Sequence, residues 1–334
     1  MLFFNLLNLI IIVFYKNTFQ DKVDLKFEKK VLRRIIMELS IGFHVSIAGG
    51  IYNAFKNAKK LDINTFQIFT RSPRSWSSKP LKEKDIDEFL KKRKENVPNF
   101  ENITVHMPYL PNLSNNNKDI TEKTRKTFLE EILRCDQIKA DYLVTHLGSH
   151  RGQGKKQGIK SIIEHLEAAL ELDPNVLILL ENTSGSKNSI GSSFRVITSI
   201  IDNCSDPDKI GICFDTCHAF AAGYDLSNPK AVESTFSNLQ EEVDLEKIKV
   251  VHLNDSKGGL GENLDRHDHI GNGKIGLNGF KAILEQKTIQ RIPIILETPI
   301  TADYGDIENL NVVQSLVKGI MPILPKLTQE KSKK

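Results

Sequence analysis

The stretch Val176–Glu181 reads VLILLE, five consecutive apolar residues followed by a carboxylate. A strand that is apolar on consecutive positions, rather than on alternate ones, is typical of a parallel sheet with both faces covered by helices. The glutamate at its end is costly to bury unless it is paired or coordinated. The stretch therefore predicts a buried parallel strand that carries a functional charge at its carboxyl end.

Seven further β-rich runs alternate with segments of helical period, which predicts repeated βα units. The predicted strands are Ser40–Ser46, Thr65–Thr70, Ile103–His106, Tyr142–His146, Val176–Glu181, Ile210–Asp215, Lys249–Leu253 and Pro293–Glu297. The predicted helices are Ile51–Leu61, Glu83–Lys94, Thr121–Ile138, Gly158–Leu172, Ser193–Ile201, Pro229–Leu239, Leu277–Gln286 and Ile307–Val317. Eight such units predict an α/β fold, a closed (β/α)8 TIM barrel. An open doubly wound sheet is the alternative, but no glycine-rich phosphate fingerprint follows the first strand.

The two ends of the chain differ in composition from the barrel segment. Residues 2–15 are apolar, but two asparagines interrupt the run, and it is short for a membrane span. We interpret residues 1–36 as an N-terminal extension that results from a start codon assigned upstream of Met37, with membrane anchoring as the less favoured alternative. The barrel domain is then predicted over residues 37–322, followed by a basic C-terminal tail at residues 323–334.

Charge and cysteine content set few limits on function. The 46 Lys and Arg against 42 Asp and Glu give a formal charge of +4, which permits a polyanionic partner without requiring one. The four cysteines are irregularly spaced, which argues against a disulfide framework and favours a reducing cytoplasm.

Potential metal ligands stand at the ends of the third to eighth predicted strands. A parallel barrel gathers the carboxyl ends of its strands on one face, so we expect these residues to converge on one pocket. The motifs DTCH at 215–218 and DRH at 265–267 each add a carboxylate paired with an imidazole. Together these positions supply nine candidate ligands: His106, His146, Glu181, Asp215, His218, His252, Asp265, His267 and Glu297.

The types of these ligands indicate the metal and the chemistry. Imidazoles and carboxylates without thiolates suit Zn²⁺, Mn²⁺ or Fe²⁺, and the share of imidazoles favours Zn²⁺. At roughly three to four protein ligands per ion, with one carboxylate bridging, nine ligands predict two or three ions. Clustered divalent ions activate water and neutralise charge on the attacking and leaving oxygens, so the pattern favours hydrolysis of a phosphodiester.

Several longer motifs resemble those of the endonuclease IV family, the type 2 apurinic/apyrimidinic endonucleases of base-excision repair. The resemblance extends from about Ile41 to Val317. The motifs that carry it are GFHVS at 42–46, DTCHAFAAGYD at 215–225, HLNDSK at 252–257, DRH at 265–267, GNGKIG at 271–276 and ILET at 295–298.

This resemblance implies a TIM barrel with three zinc ions, with Mn²⁺ as the alternative occupant of one site. The implied enzyme cuts the phosphodiester 5′ to an abasic site, leaves a 3′-hydroxyl and a 5′-deoxyribose phosphate, and also trims blocked 3′ ends. The matched ligands are His106, His146 and Glu181 for one ion; Asp215, His252 and Glu297, with Glu181 bridging, for a second; and His218, Asp265 and His267 for a third. Glu181 and Glu297 are the implied catalytic carboxylates, since they would hold the attacking water.

Substrate contacts are expected from loops at the barrel rim. The loop after the second strand contains Arg74 and Trp76, a basic and an aromatic residue of the kind that contacts phosphates and replaces lost base stacking. Arg74 and Tyr109 match residues that the family places against the lesion, and Arg266 could hold a phosphate. The expected partner is double-stranded DNA containing abasic sites, bound by a cytoplasmic monomer with no obligate protein partner.

Two other functions remain as alternatives. A metal-dependent sugar isomerase or epimerase would use a similar barrel but would not call for the DRH motif or for a basic and aromatic rim loop. A lesion-binding protein without catalysis would need to have lost ligands that are all present here. Of the remaining histidines, we interpret His44 as support for the metal site, and His150 and His269 as solvent-facing loop residues.

Overall fold

Strands and helices alternate along residues 39–96, 100, 102–301 and 303–324, the part of the chain that this computed structural model describes. The strands there are β1 (Ile41–His44), β2 (Thr65–Ile68), β3 (Ile103–His106), β4 (Tyr142–His146), β5 (Leu177–Glu181), β6 (Ile210–Asp215), β7 (Ile248–His252), β8 (Asp255–Ser256), β9 (His267–Asp268) and β10 (Ile294–Leu296). The α-helices there are α1 (Asn53–Lys60), α2 (Glu83–Asn96), α3 (Lys118–Ile138), α4 (Lys155–Leu170), α5 (Phe194–Asp202), α6 (Thr216–Ala222), α7 (Pro229–Leu239), α8 (Gly276–Leu284) and α9 (Asp306–Val317).

Parallel pairing closes the sheet into the predicted barrel. Among the described residues, eight strands follow one another in the order β1-β2-β3-β4-β5-β6-β7-β10, and β10 pairs back with β1. The register sets His146 of β4 level with Glu181 of β5, and Asp215 of β6 level with His252 of β7. The TIM barrel is therefore confirmed, and its register brings predicted ligands to the same height.

The interior of the barrel is filled by small and branched apolar side chains. Five of them form a separate buried cluster, which we call the barrel floor: Val144, Leu179, Cys213, Val250 and Ile295. Side chains two residues apart on a strand share a face. Each floor residue lies two positions before a predicted ligand, so the floor directly supports His146, Glu181, Asp215, His252 and Glu297. The opposite faces of the strands pack against the helices in the main core.

Strand β1 lies unusually close to its neighbour β2 at Gly42. A Cβ atom at this position would stand 2.0 Å from the carbonyl oxygen of Thr65, far inside van der Waals contact. Only glycine therefore permits this approach of the two strands.

Two small elements were not predicted from the sequence. The first is helix α6, which begins within the DTCH motif and has Asp215 as its N-cap residue. Its Oδ1 atom accepts a 2.7 Å hydrogen bond from the backbone N–H of His218. Strands β8 and β9 form an antiparallel pair that carries His267 back over the barrel.

The predicted N-terminal extension, residues 1–36, lies outside the described residues, as does most of the predicted tail, from residue 325 onward. Both boundaries stay predictions. Within the described part of the chain, none of the helices combines the length and apolar character needed to cross a bilayer.

Candidate metal centre

The nine predicted ligands meet at the carboxyl end of the barrel. Strands β3 to β7 each deliver one ligand from their last residue, and Glu297 directly follows β10. The N-cap hydrogen bond at Asp215 fixes His218 in the first turn of α6. The β8–β9 pair supplies His267, and Asp265 lies in the connection between those two strands.

The first group of ligands consists of His106, His146 and Glu181. The Nε2 atoms of the two histidines lie 3.3 Å and 3.4 Å from the same carboxylate oxygen, Oε2 of Glu181. These contacts fit three ligands around one cation, because their nearest ligand atoms lie within 4.8 Å of one another.

The second group shares Glu181 with the first and adds Asp215, His252 and Glu297. The Nδ1 atom of His252 lies 3.2 Å from Oε1 of Glu181 and 3.3 Å from Oε2 of Glu297. It also lies 4.0 Å from Oδ2 of Asp215. Glu181 thus offers one oxygen to each of two groups, the arrangement of a bridging carboxylate.

The third group differs in one member from the set that the resemblance implies. Asp215, His218 and His267 form the tight group, with Nε2 of His267 3.7 Å from Oδ2 of Asp215. Asp265 contacts His218, whose Nε2 lies 3.1 Å from Oδ1 of Asp265, but the Asp265 side chain is 55% exposed. Asp215 is therefore placed between the second and third groups, and Asp265 is at the solvent side of the third.

Four of the five imidazoles in the centre have one ring nitrogen fixed by an oxygen that can only accept a hydrogen bond. The pairs are His106 Nδ1 with Met107 O at 2.6 Å, His218 Nδ1 with Asn182 O at 3.0 Å, His252 Nε2 with Gln67 Oε1 at 2.9 Å, and His267 Nδ1 with Glu297 O at 3.1 Å. The fixed nitrogen must carry a proton, so the other nitrogen, which faces the carboxylates, is the one that can lose its proton and bind a cation.

The donor set fits divalent cations. The Nε2 atom of His267 is buried without a hydrogen-bond partner in the described structure, although it lies close to Asp215. A buried polar nitrogen without a partner costs free energy, and a cation would remove that cost. Lone pairs from imidazoles that face a shared set of carboxylates are the arrangement that zinc sites use.

The surrounding charges keep the carboxylates ionised. Burial alone would raise the pKa of Glu181, but the imidazoles of His146 and His252 lower it well below its usual value. Burial also opposes ionisation of Glu297, yet nearby imidazoles lower its pKa to about 2. Burial alone would lower the pKa of His218, but Asp215 and Asp265 raise it well above its usual value. The centre therefore holds negative charge that cations can neutralise.

Three buried amides support the ligands and were missed by the sequence analysis. Asn254 donates through Nδ2 to Oδ2 of Asp215 at 2.8 Å and accepts through Oδ1 from the backbone N–H of Glu297 at 2.8 Å. Asn182 accepts from the backbone N–H of Asp215 at 2.7 Å. Both asparagines follow a ligand by one or two residues, a signal that could have identified them. Gln67, in the middle of β2, has no such signal.

The other histidines give mixed outcomes. His44 is half-buried beside Gln67, with its Nδ1 3.1 Å from the amide nitrogen, and desolvation lowers its pKa to about 4, which agrees with a supporting role. The prediction that His269 faces solvent is wrong. Its ring is buried against Tyr304, and Asn309 lies within hydrogen-bond distance, because α9 covers this loop. His150 is half-buried and accepts a hydrogen bond from Gly154.

Comparison with known proteins identifies the relationship. The family described as "Xylose isomerase-like TIM barrel" matches residues 55–316. A protein of Nitrosopumilus maritimus, "Probable endonuclease 4", is 47% identical over 272 residues, which is 81% of this chain and 98% of that protein. The chain belongs to the endonuclease IV family. "Apurinic-apyrimidinic endonuclease 1" of Plasmodium berghei is 42% identical over 260 residues, 78% of this chain and 51% of that protein.

A solved structure shares both the fold and the family name. Endonuclease IV from Thermus thermophilus superposes with a TM-score of 0.74 at 31% identity, and the match covers 84% of this chain and 99% of that one. These relatives carry endonuclease names, so they support the nuclease prediction and not the sugar isomerase alternative.

In this endonuclease IV chain, the metal centre lies in a pocket of about 770 Å³. Its wall includes Tyr109, which is 59% exposed and contacts Phe69 edge to face, with ring centroids 5.3 Å apart. Partial desolvation and the charge of Glu297 raise the pKa of Tyr109, and nearby Arg74 partly offsets this. The structure therefore brings Tyr109 to the entrance of the site.

The other three predicted DNA contacts lie outside the pocket wall formed by the described residues. Arg74 and Arg266 are exposed, and Trp76 is half-buried. Tyr109 connects to the β2 loop, residues 69–82, because its backbone N–H donates to Pro73 O at 2.9 Å. Their roles in DNA binding stay predictions.

Buried charges fix the β2 loop to helix α3. Arg71 is fully buried, and its guanidinium pairs with Glu131, also fully buried, and with Glu130 at 2.8 Å. Arg134 donates to Thr70 O at 3.1 Å and to Ser78 Oγ at 3.0 Å. The loop that carries Arg74 is therefore held at both ends.

Proposed function

We propose that this chain is a zinc-dependent apurinic/apyrimidinic endonuclease of DNA base-excision repair. It hydrolyses the phosphodiester 5′ to an abasic site, leaves a 3′-hydroxyl and a 5′-deoxyribose phosphate, and trims blocked 3′ ends. The observation that carries this proposal is the convergence of nine imidazole and carboxylate side chains into three connected groups at one barrel end. The endonuclease names of its relatives support the same reaction.

The proposed cofactor is three zinc ions, with Mn²⁺ as the alternative at one position. Five imidazoles and four carboxylates form the predicted set, and thiols do not contribute to it. Burial raises the pKa of Cys217, beside the centre, to about 12, so its sulfur stays protonated and is a poor ligand. The residues His106, His146 and Glu181 would hold the first ion.

The remaining residues would divide between the other two ions. Asp215, His252 and Glu297 would hold the second, together with Glu181, and His218, Asp265 and His267 would hold the third. When bound, the ions would activate the attacking water and neutralise charge on the phosphate oxygens.

The chain's own residues position the substrate and the attacking water. Glu181 and Glu297 are held ionised, and both contribute to the pocket wall, so they can orient a water molecule and accept its proton. Tyr109, at the pocket entrance, offers an aromatic face to the deoxyribose that has lost its base. Arg74, Trp76 and Arg266 would contact the DNA outside the pocket.

The proposed partner is double-stranded DNA that contains abasic sites. We propose that the protein acts as a cytoplasmic monomer, without an obligate protein partner. The pocket beside the centre can accommodate one lesion, and residues of the described part of this chain supply all three ligand groups.

A combined metal and cleavage measurement tests the proposal. The zinc content of the purified protein is measured, and the same preparation is incubated with a duplex that carries one tetrahydrofuran abasic analogue. We expect about three zinc ions per chain and a single cut 5′ to the lesion, with the undamaged duplex left intact. A zinc-loaded protein that leaves the lesion duplex uncut would overturn the proposed reaction. Turnover of a ketose by that protein would favour the isomerase.

A further inference from the structure

Gln67 is a buried polar residue on a strand that supplies no predicted ligand. It lies in the middle of β2 between Phe66 and Ile68, and its side chain is 0% exposed. Its amide contacts three residues of the site. Nε2 donates to Glu297 Oε1 at 2.6 Å, Oε1 lies 2.9 Å from His252 Nε2, and Nε2 lies 3.1 Å from His44 Nδ1.

The chemistry of these partners fixes the orientation of the amide. The carboxylate of Glu297 can only accept, so the amide nitrogen must face it. The amide oxygen then faces His252, which must donate from Nε2. The second amide hydrogen is directed to His44, so each polar atom of the Gln67 amide has a partner.

Two ligands of the second group depend on this orientation. A proton on Nε2 of His252 leaves the lone pair on Nδ1, the atom that lies 3.2 Å from Glu181 and 3.3 Å from Glu297. Occupation of Glu297 Oε1 by the amide leaves Oε2 free, and Oε2 is the oxygen that faces His252. A single side chain thus orients both His252 and Glu297.

The other anchored imidazoles do not depend on a side chain. His106, His218 and His267 are fixed by backbone carbonyl oxygens, which no substitution removes. His252 alone among these four is fixed by a side-chain oxygen, that of Gln67.

We propose that Gln67 is a positioning residue that sets the affinity of the second metal group, by selecting the Nε2–H tautomer of His252 and reserving Oε2 of Glu297 for the ion. The inference rests on the proposed function, because it assumes that these groups hold zinc. Partners that orient metal ligands in this way contribute about 10–100-fold to metal affinity or activity.

The test compares zinc binding by the wild type, Gln67→Met and Gln67→Glu. Methionine has a similar shape without hydrogen-bonding capacity, and glutamate keeps an oxygen for His252 but sets a carboxylate against Glu297. Native mass spectrometry counts bound ions, and competition with a chromophoric chelator measures their affinities. We expect one of the three ions to bind about 10–100-fold more weakly in both variants, with the other two unchanged.

Steady-state cleavage supplies a second readout. Gln67 is buried below the ligands and is not part of the pocket wall, so we expect kcat to fall while KM for the abasic duplex stays the same. The melting temperature of the metal-free protein reports any general loss of stability.

Thr104→Val is the matched control. Thr104 is the register partner of Gln67 on β3, is equally buried, and has a hydroxyl without a hydrogen-bond partner in the described structure. We expect this variant to bind three ions with wild-type affinities and to cleave normally.

Several outcomes would overturn the role of Gln67. Wild-type affinities for all three ions in Gln67→Met would do so, as would equal weakening of all three with a lower melting temperature of the metal-free protein. If Gln67→Met does not fold, Gln67→Glu decides between the same outcomes. Failure of the wild type itself to bind zinc or to cut the lesion would instead count against the proposed function.

Discussion

At the scale of single residues, Glu181 connects most of the imidazoles in the centre. Four imidazoles, those of His106, His146, His218 and His252, lie within 3.4 Å of its two oxygens. Like Asp215, it is a carboxylate shared by two of the ligand groups. Loss of its charge should therefore affect more than one ion.

We predict that Glu181→Gln nearly abolishes incision. Glutamine keeps the size of the side chain but lacks the negative charge that two of the ligand groups share. We expect kcat to fall by more than about 100-fold, the upper end for residues that only support ligands. Binding of the abasic duplex should persist in a gel-shift assay, because the proposed DNA contacts lie on the rim. Incision at the wild-type rate would contradict the assignment of Glu181.

The sequence predicts six of the nine candidate ligands because each of the six stands at the end of an apolar strand, and the DTCH and DRH motifs supply the other three. A charged group buried at the end of an apolar strand costs free energy unless it is paired or coordinated, so its presence there indicates a partner. Gln67 could not be recognised in the same way, since a single polar residue inside a short strand does not reveal which face it occupies. His269 was misjudged because its partners, Tyr304 and Asn309, follow it by more than 30 residues.

At the scale of elements, helix α3 stabilises the β2 loop through buried charge. Arg71 and Glu131 are both inaccessible to solvent, and Arg134 connects the same helix to Ser78 near the far end of the loop. Removal of one partner from a buried ion pair leaves the other charge buried without compensation. The free-energy cost of that isolated charge is larger than the net stabilisation that the intact pair provides.

We predict that Glu131→Ala lowers the free energy of unfolding by about 3–5 kcal/mol, because it leaves Arg71 buried without its main partner. Urea denaturation of the metal-loaded protein measures the change. Glu130→Ala is the control, since Glu130 pairs with the same guanidinium but is 37% exposed. We expect the control to cost less than about 1 kcal/mol. Equal losses of unfolding free energy in the two variants would show that the buried Arg71–Glu131 pair contributes no more to stability than the partly exposed Arg71–Glu130 pair.

The barrel elements were predictable, whereas two connecting elements were not. Strands covered on both faces have apolar runs such as VLILLE, and these can be recognised in the sequence without knowledge of their neighbours. Helix α6 has seven residues and is buried on most of its surface, so it lacks an exposed face and shows no amphipathic period. The β8–β9 pair has two residues per strand, too few for an alternating pattern.

At the scale of the whole molecule, folding and metal binding are linked through protonation. In the metal-free protein, the raised pKa of His218 means that its pairs with Asp215 and Asp265 stabilise the fold below about pH 6.5. This contribution is lost as the pH rises through the raised pKa. Zinc requires the neutral imidazole, so the stabilisation by zinc grows over the same range.

We therefore predict that the difference in melting temperature between zinc-loaded and metal-free protein increases as the pH rises above about 6.5. Differential scanning calorimetry of both forms measures the difference, with the metal-free form prepared by prolonged chelation and checked for residual zinc. Chelation should also abolish incision, and added zinc should restore it. A difference in melting temperature that stays constant with pH would show that protonation of the imidazoles does not link folding to zinc binding.

The barrel floor has a consequence for how such an enzyme can change. Val144, Leu179, Cys213, Val250 and Ile295 each precede a predicted ligand by two residues, so a change in side-chain volume beneath the centre would shift the groups above it. A substitution that adds or removes one methyl group in this dry interior could therefore change the spacing between the ligand groups, while every predicted ligand stays the same residue.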